Sequence, residues 1–394
     1  LFLCFRGCDF ILRWVPLRFE MKLFAAALAL LLGPVASWGQ LLNTTQGVLQ
    51  GFDDGSTLSF LGVPFAQPPV GDLRWQAPVA GSPWSGTRDG TVFGDSCPQS
   101  SAFSFGTSTS EDCLFLNVYV PSNHTASSSP IAVMVFFYGG SWVTGSASFP
   151  LYWANALVSK SVEFGSPVVV VTTNYRLGPF GFLASPALQA TSNDGSTGNY
   201  GIQDQRLALR WVHENAGNLN VDLERFLIFG ESAGAGSVSN HLVMPRSAGL
   251  FTRALAESGP FAPWVAQHLN TSTLKYEALA ANTGCASSEA VPAAGSRLRG
   301  AGESSSAASV LACMRNLSTD AIMAGKGGLP SGLLEWSPVV DGVELTAVPE
   351  VLAAEGKIAN KVPTMFGTNR NEGTLFVKAP HDINATGYPI WLEQ

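Results

Sequence analysis

The chain has 394 residues, of which 46% are hydrophobic and 13% charged, and this balance excludes a fibrous or largely disordered protein. Twenty-two Lys and Arg against 29 Asp and Glu give a net charge of −7, without any basic run. Nucleic acid and anionic membrane surfaces therefore have no electrostatic support as partners. A large globular enzyme is the default class for such a chain.

The first 39 residues are interpreted as lying outside the folded domain. The chain begins with Leu1, and its first methionine is Met21. A lysine, the apolar block 23–32 and small residues at 35–37 then predict a secretory signal peptide over residues 21–39. Residues 1–20 are read as untranslated or leader sequence, with an extended signal or anchor as the alternative, and 40–394 as one domain. The apolar block is too short to span a bilayer.

Glycosylation motifs and cysteines support export to an oxidising compartment. Four cysteines lie beyond the leader, and an even count there predicts two disulfides, for which sequence-adjacent pairing is the simplest of three connectivities. A metal site is a poor alternative because the cysteine spacings are long and no histidine lies nearby. N-x-S/T sequons predict N-glycosylation of a secreted protein at Asn43, Asn123, Asn270, Asn316 and Asn384.

Short apolar segments alternate with helical patterns along the chain. Several of these segments are apolar throughout, as expected for strands covered on both faces of a sheet. The pattern predicts a mostly parallel α/β sheet flanked by helices. Residues 203–214 predict an amphipathic helix. The predicted strands span residues 114–120, 131–138, 167–174, 226–231 and 362–367.

The pentapeptide GESAG, at 230–234, directly follows the fourth of these strands. A serine is a weak nucleophile unless it is held clear of the backbone beside a base, and a sharp strand-to-helix turn does this. The turn is so tight that only glycine fits at the flanking positions. Ser232 is therefore the candidate nucleophile.

A second glycine-rich turn follows the predicted strand 131–138, where the sequence reads Gly139, Gly140, Ser141, Trp142. Such a turn presents free backbone N–H groups, which an ester hydrolase needs for the oxyanion that develops during the reaction. Taken alone, the stretch is better interpreted as an ordinary loop.

Seven segments together resemble the type B carboxylesterase/lipase family, the cholinesterase-like α/β-hydrolases, from about Gly47 to Val377. The resemblance implies the α/β-hydrolase fold, a secreted carboxylic-ester hydrolase with an acyl-enzyme intermediate, a small-molecule or lipid ester as substrate, and no cofactor or metal. The segments are LGVPFAQPPVGDLRWQAP (61–78), EDCLFLNVYVP (111–121), FFYGGSW (136–142), NYRLGPFGFL (174–183), GNYGIQDQRLALRWVHEN (198–215), IFGESAGAGSVS (228–239) and GTNRNEGTLF (367–376).

The resemblance also assigns roles to individual residues. Ser232 becomes the nucleophile and Glu372 the carboxylate that orients the histidine base. The oxyanion donors are the amides of Gly140, Ser141 and Ala233, where Ser141 replaces the usual third glycine and adds a Cβ beside the pocket. The resemblance further implies the disulfides Cys97–Cys113 and Cys285–Cys313 and the architectural ion pairs Arg74–Glu111 and Arg176–Asp204.

The sequence departs from the family pattern at the catalytic histidine. In the family this residue lies roughly a hundred residues beyond the glutamate, and none of the five histidines fits that position. His381 would have to reach Ser232 from the loop of Glu372 itself. We therefore expect a C-terminally truncated form of an esterase, and the alternative is a non-catalytic adhesion or binding module of the same fold. The turn chemistry at 218–226 also differs from the family's.

Overall fold

The computed structural model describes residues 40–100, 108–286, 306–326 and 336–372. The interpreted leader and signal segments, His381 and the sequon at Asn384 lie outside these ranges. The α/β-hydrolase fold predicted from the sequence is confirmed by a large mixed sheet with helices packed against it.

Within the described ranges, the main sheet contains eight strands, which are β3 (Phe52–Asp53), β4 (Thr57–Pro64), β6 (Phe115–Pro121), β7 (Ile131–Phe137), β8 (Val168–Thr173), β9 (Val221–Glu231), β10 (Arg253–Glu257) and β13 (Thr364–Gly367). Their order across the sheet is β13-β10-β9-β7-β8-β6-β4-β3. The strands from β8 through β7, β9 and β10 to β13 are parallel, and those at the β3 end are antiparallel.

Two smaller sheets accompany the main one in the described part of the chain. The first joins β1 (Leu41–Asn43), β2 (Val48–Gln50) and β5 (Thr87–Asp89), and the second joins β11 (Gln267–His268) and β12 (Val339–Val340). The helices are α1 (Asn155–Glu163), α2 (Gly178–Phe182), α3 (Pro186–Ala190), α4 (Tyr200–Glu214), α5 (Ala216–Leu219), α6 (Ala233–Val243), α7 (Leu269–Asn282), α8 (Ala307–Arg315), α9 (Thr319–Gly325) and α10 (Pro349–Ala354).

The strands predicted from apolar runs are all present, with shifts at their ends. The largest shift is in β9, which begins at Val221 rather than at Phe226. Its register against β7 is irregular between Ile131 and Val133, and Asn220 adopts a left-handed conformation with φ of 51° just before the strand. Asparagine tolerates this conformation better than most residues, so it makes the turn here.

Both disulfides implied by the resemblance are present, with Cys97 bonded to Cys113 and Cys285 to Cys313. Both implied ion pairs are present and buried, and each is a two-bonded contact between a guanidinium and a carboxylate. Arg74 also donates to the backbone carbonyls of Met314, Arg315 and Leu317. That arginine thereby ties the end of α8 to the N-terminal part of the chain, which is an architectural role.

Candidate active site

Ser232 lies at a sharp corner between β9 and α6. Its φ of 56° and ψ of −120° belong to a region that L-residues rarely adopt, and such a conformation costs about 1–3 kcal/mol. Two backbone hydrogen bonds hold the corner, one from Ser232 N–H to Glu257 O and one from Gly236 N–H to Ser232 O, each 2.9 Å. The surrounding backbone therefore maintains a serine conformation that a free chain would leave.

The glycines on either side of this serine have no room for a side chain. A Cβ on Gly234 would lie 2.0 Å from the carbonyl oxygen of Phe137, and one on Gly230 would lie 2.6 Å from the carbonyl carbon of Gly234. In both cases the obstacle is backbone. The tight corner predicted from GESAG therefore has a measurable cause, which is the close approach of β7 and the first turn of α6.

The glycine turn after β7 lies directly against the serine corner. A Cβ on Gly139 would be 3.0 Å from Ser232 Cβ and 2.8 Å from Glu231 O. The register explains this contact, because Phe137 of β7 pairs with Gly230 of the parallel strand β9. Parallel strands end at the same edge of the sheet, so the two segments that follow them meet there.

Three backbone amides at this edge are free to receive an anion. Within the described residues, the N–H groups of Gly140, Ser141 and Ala233 donate no hydrogen bond. Gly140 and Ser141 have φ values of 103° and 55°, and the carbonyl of Gly140 instead accepts from Val143 and Thr144. Ala233 begins α6, where the helix dipole also favours negative charge.

Glu372 is held near the same edge through the end of β13. Its Oε1 accepts from the backbone N–H of Asn369 at 2.6 Å, and Asn369 Nδ2 donates to Ser258 Oγ at 3.3 Å. Ser258 directly follows Glu257, whose carbonyl binds Ser232 N–H. Hydrogen bonds from the Ser258 hydroxyl and from Asn369 lower the pKa of Glu372.

Electrostatic coupling links this carboxylate to the serine corner. Desolvation raises the pKa of Glu231, the residue before Ser232, and the charges of Glu372 and Glu257 raise it further. A concentration of negative charge beside Ser232 favours a cation there.

The four histidines in the described ranges make contacts elsewhere and none hydrogen-bonds Ser232. His241 is fully buried between Ser247 Oγ and Gln205 Oε1, and desolvation lowers its pKa to about 3. His213 contacts the carbonyl of Leu250, and His124 that of Asn220. His268 is exposed ahead of α7.

None of the helices in the described ranges combines the length and the apolar composition that a membrane span requires. Nor does that part of the chain contain a group of three or more His, Cys, Asp or Glu side chains placed to hold a metal ion.

A serine at a strand-to-helix corner, set at the edge of a mainly parallel sheet beside a turn with free amides, defines an α/β-hydrolase. A family model described as "Carboxylesterase family" matches residues 39–387, so the chain belongs to the carboxylesterase family.

Individual relatives agree with this family. Over 86% of its length the chain is 35% identical to a cholinesterase of Mus musculus, and over 88% it is 33% identical to a para-nitrobenzyl esterase of Bacillus subtilis (strain 168). A solved PNB esterase structure matches 89% of the chain with a TM-score of 0.72 and 30% identity, and 68% of that structure is covered. The chain spans 54% of the cholinesterase and 65% of the para-nitrobenzyl esterase.

Proposed function

We propose that this protein hydrolyses carboxylic esters with Ser232 as nucleophile. The observation that carries the proposal is the position of Ser232, strained at the corner before α6 and facing a turn whose amides have no other partner in the described structure. Its relatives' names, which include a cholinesterase, a para-nitrobenzyl esterase and a fumonisin B1 esterase, share ester hydrolysis as their chemistry.

The proposed reaction has two stages. Ser232 Oγ attacks the ester carbonyl carbon while a histidine accepts its proton, and the amides of Gly140, Ser141 and Ala233 bind the oxyanion of the tetrahedral intermediate. Collapse expels the alcohol, which takes the proton, and leaves an acyl group on Ser232. Water then attacks the acyl-enzyme by the same route and releases the acid.

Glu372 is proposed to orient the histidine, and that histidine is proposed to come from a longer polypeptide. Buried His241 is excluded because both of its ring nitrogens are engaged and its pKa is far too low for a base at neutral pH. The other histidines of the described ranges bind backbone carbonyls or lie exposed. His381 follows Glu372 by only nine residues, against roughly a hundred in the family, so we propose that the base belongs to a longer polypeptide, in keeping with the length of the relatives.

An uncharged small-molecule or lipid ester is the proposed substrate class. The segment between Cys97 and Cys113 contains no tryptophan to stack on a quaternary ammonium group, which disfavours choline esters.

The second candidate function is a non-catalytic binding module. The observation in its favour is that Ser232 has no base among the described residues.

One experiment separates the two functions. Residues 40–394 and a polypeptide continued past Gln394 to the relatives' length are treated with a fluorophosphonate probe and with p-nitrophenyl butyrate, each beside its Ser232→Ala variant. We expect labelling and turnover in the longer wild-type polypeptide alone. Absence of both from the longer form would favour the binding module, and equal turnover by residues 40–394 would contradict the assignment of the base.

We also propose secretion with cleavage of residues 21–39 and N-glycosylation. The asparagines of the four described sequons, Asn43, Asn123, Asn270 and Asn316, are all exposed, and two disulfides suit an oxidising compartment. Expression from Met21 in a eukaryotic cell should deliver the protein to the medium, with a mobility that increases after peptide N-glycosidase treatment. Retention in the cell without a mobility change would contradict the proposal.

A further inference from the structure

We propose that Ser237 is the positioning residue that locks the oxyanion turn onto helix α6, an inference that rests on the proposed function. Ser237 lies one helical turn beyond Ala233 and is fully buried. None of the hydrogen bonds of its side chain involves Ser232. Its effect on catalysis is therefore exerted through its neighbours.

Every hydrogen-bonding capacity of the Ser237 hydroxyl is used. It accepts from Trp142 Nε1 and from Gln205 Nε2 and donates to the carbonyl of Ala233, each at 3.0 Å. The indole and amide nitrogens are donors only, so the hydroxyl hydrogen must point to Ala233. Because the one hydrogen and both lone pairs are used, the rotation of the hydroxyl about the Cβ–Oγ bond is fixed.

These bonds join the two halves of the proposed oxyanion site. Trp142 directly follows Ser141, and Ala233 provides the third amide. A single buried oxygen thus connects the turn after β7 with the first turn of α6. The indole is also confined by shape, because a Cβ on Gly236 would lie 2.7 Å from its Cη2 atom.

The turn needs such a restraint because its backbone is strained. Ser141 and Trp142 have φ values of 55° and 56°, and two consecutive non-glycine residues in the left-handed region each cost about 1–2 kcal/mol. Trp142 is held at its carbonyl as well, by Gly178 N–H at 2.7 Å. Without the hydrogen bond to Ser237, relaxation of this strain would move the amides of Gly140 and Ser141 away from the oxyanion.

A second layer fixes Gln205 in turn. Its Oε1 lies 3.1 Å from His241 Nε2, and His241 Nδ1 lies 2.9 Å from Ser247 Oγ. Since Gln205 uses its amide nitrogen on Ser237, its oxygen must accept from His241 Nε2–H, which leaves Nδ1 to accept from the Ser247 hydroxyl. Gln205, Ser237, His241, Ser247 and Trp142 are all 0% exposed, so water cannot replace a lost partner.

Ser239 provides a matched control on the same helix. It is also 0% exposed, it donates to a carbonyl four residues earlier, that of Ala235, and it accepts one backbone N–H, that of Phe261. It has no bond to the oxyanion turn. Ser239→Ala therefore carries a similar structural cost without the proposed positioning effect.

The test compares Ser237→Ala, Trp142→Phe, their double variant and Ser239→Ala in the active wild-type polypeptide. Loss of an oxyanion donor costs ~10²–10³-fold in kcat, so loss of a residue acting through the donors should cost ~10- to 30-fold, with KM changed less than about threefold. Affinity for a trifluoromethyl ketone, which forms the oxyanion, should fall by the same factor as kcat/KM. The double variant should lose no more activity than the worse single variant, because both substitutions remove the same hydrogen bond between Trp142 and Ser237.

Hydrogen exchange of the segment 136–146 gives a readout that does not need activity. We expect exchange there to be at least ~10-fold faster in Ser237→Ala and Trp142→Phe and unchanged in Ser239→Ala. Unchanged hydrogen exchange, or unchanged kcat despite faster exchange, would overturn the proposal. If Ser237→Ala does not fold, the same measurements on Trp142→Phe decide the question. A wild type without labelling or turnover would instead reject the proposed function, and exchange alone would then decide whether the turn is locked.

Discussion

A single methyl group at Gly234 should disrupt the serine corner. The Cβ of Gly234→Ala would lie 2.0 Å from the carbonyl oxygen of Phe137 and 3.1 Å from that of Tyr138, and both atoms belong to backbone that cannot move aside. We expect the free energy of unfolding to fall by about 3 kcal/mol and the fluorophosphonate labelling of Ser232 in the longer polypeptide to be lost. Urea denaturation and probe labelling measure the two effects.

Gly217→Ala is the control for this change. Gly217 lies in α5, is exposed, and has no atom within 4 Å of an added Cβ. Alanine there should be neutral or stabilise by up to about 1 kcal/mol, because it is the better helix former. Equal destabilisation by the two substitutions would show that the close approach at Gly234 does not restrict the corner.

Elements distant in the sequence are joined by buried charge pairs. Arg206 of α4 forms two hydrogen bonds to Glu344, which lies between β12 and α10 and is 0% exposed. Glu344 also accepts from Gln203 and Arg246. The segment after β12 is thus joined to α4 through one buried carboxylate. Desolvation raises the pKa of Glu344, but its hydrogen bonds and the charges of Arg206 and Arg246 lower it by more, so the net shift is downward.

Arg206→Met should therefore destabilise the protein by about 3 kcal/mol. Removal of one partner leaves a buried carboxylate with less compensation, although Arg246 remains to reduce the loss. Lys160→Met is the control, because the Lys160–Glu163 pair is exposed by 62% and 56% at its side chains and should contribute less than about 0.5 kcal/mol. Denaturant midpoints of the two variants give the comparison, and similar midpoints would contradict the expectation.

The central strands were predictable because they are covered on both faces and read as apolar runs. β10 was not predicted, since its five residues, RALAE, include alanines and charges that carry little strand preference. Its place in the sheet depends on pairing with β9 and β13, which no local pattern records. The irregular start of β9 was missed for a related reason, because it depends on Asn220 and on the register against β7.

In the candidate site, too, local motifs could be predicted from the sequence and long-range contacts could not. GESAG and the Gly-Gly turn are local motifs, so Ser232, Gly140 and Ser141 could be singled out from the sequence. The bond between Trp142 and Ser237 joins residues 95 positions apart, and that between Arg206 and Glu344 spans 138. Neither pair follows a helical or strand period. Such contacts exist only after the sheet has brought its segments together, so the sequence offered no pattern for them.

At the scale of the whole molecule, a neutral buried histidine makes the fold sensitive to acid. Burial, with a contribution from the charge of Arg206, lowers the pKa of His241 from 6.5 to about 3. Between these two values the unfolded chain binds a proton at this residue that the folded protein does not, so stability falls as the pH falls. Burial raises the pKa values of Glu231 and Asp341, which act in the opposite direction, and a His241 variant is needed to isolate the effect.

We expect His241 alone to cost the protein roughly 2 kcal/mol of stability between pH 7 and pH 5. His241→Gln should be less stable than the wild type at pH 7, because the contacts with Gln205 and Ser247 are disturbed, but its stability should change less on acidification. His268→Gln, at an exposed histidine, is the control substitution. Urea unfolding of the three proteins at pH 7, 6 and 5 measures these slopes. A His241→Gln slope equal to that of the wild type would mean that protonation of this residue does not oppose the fold.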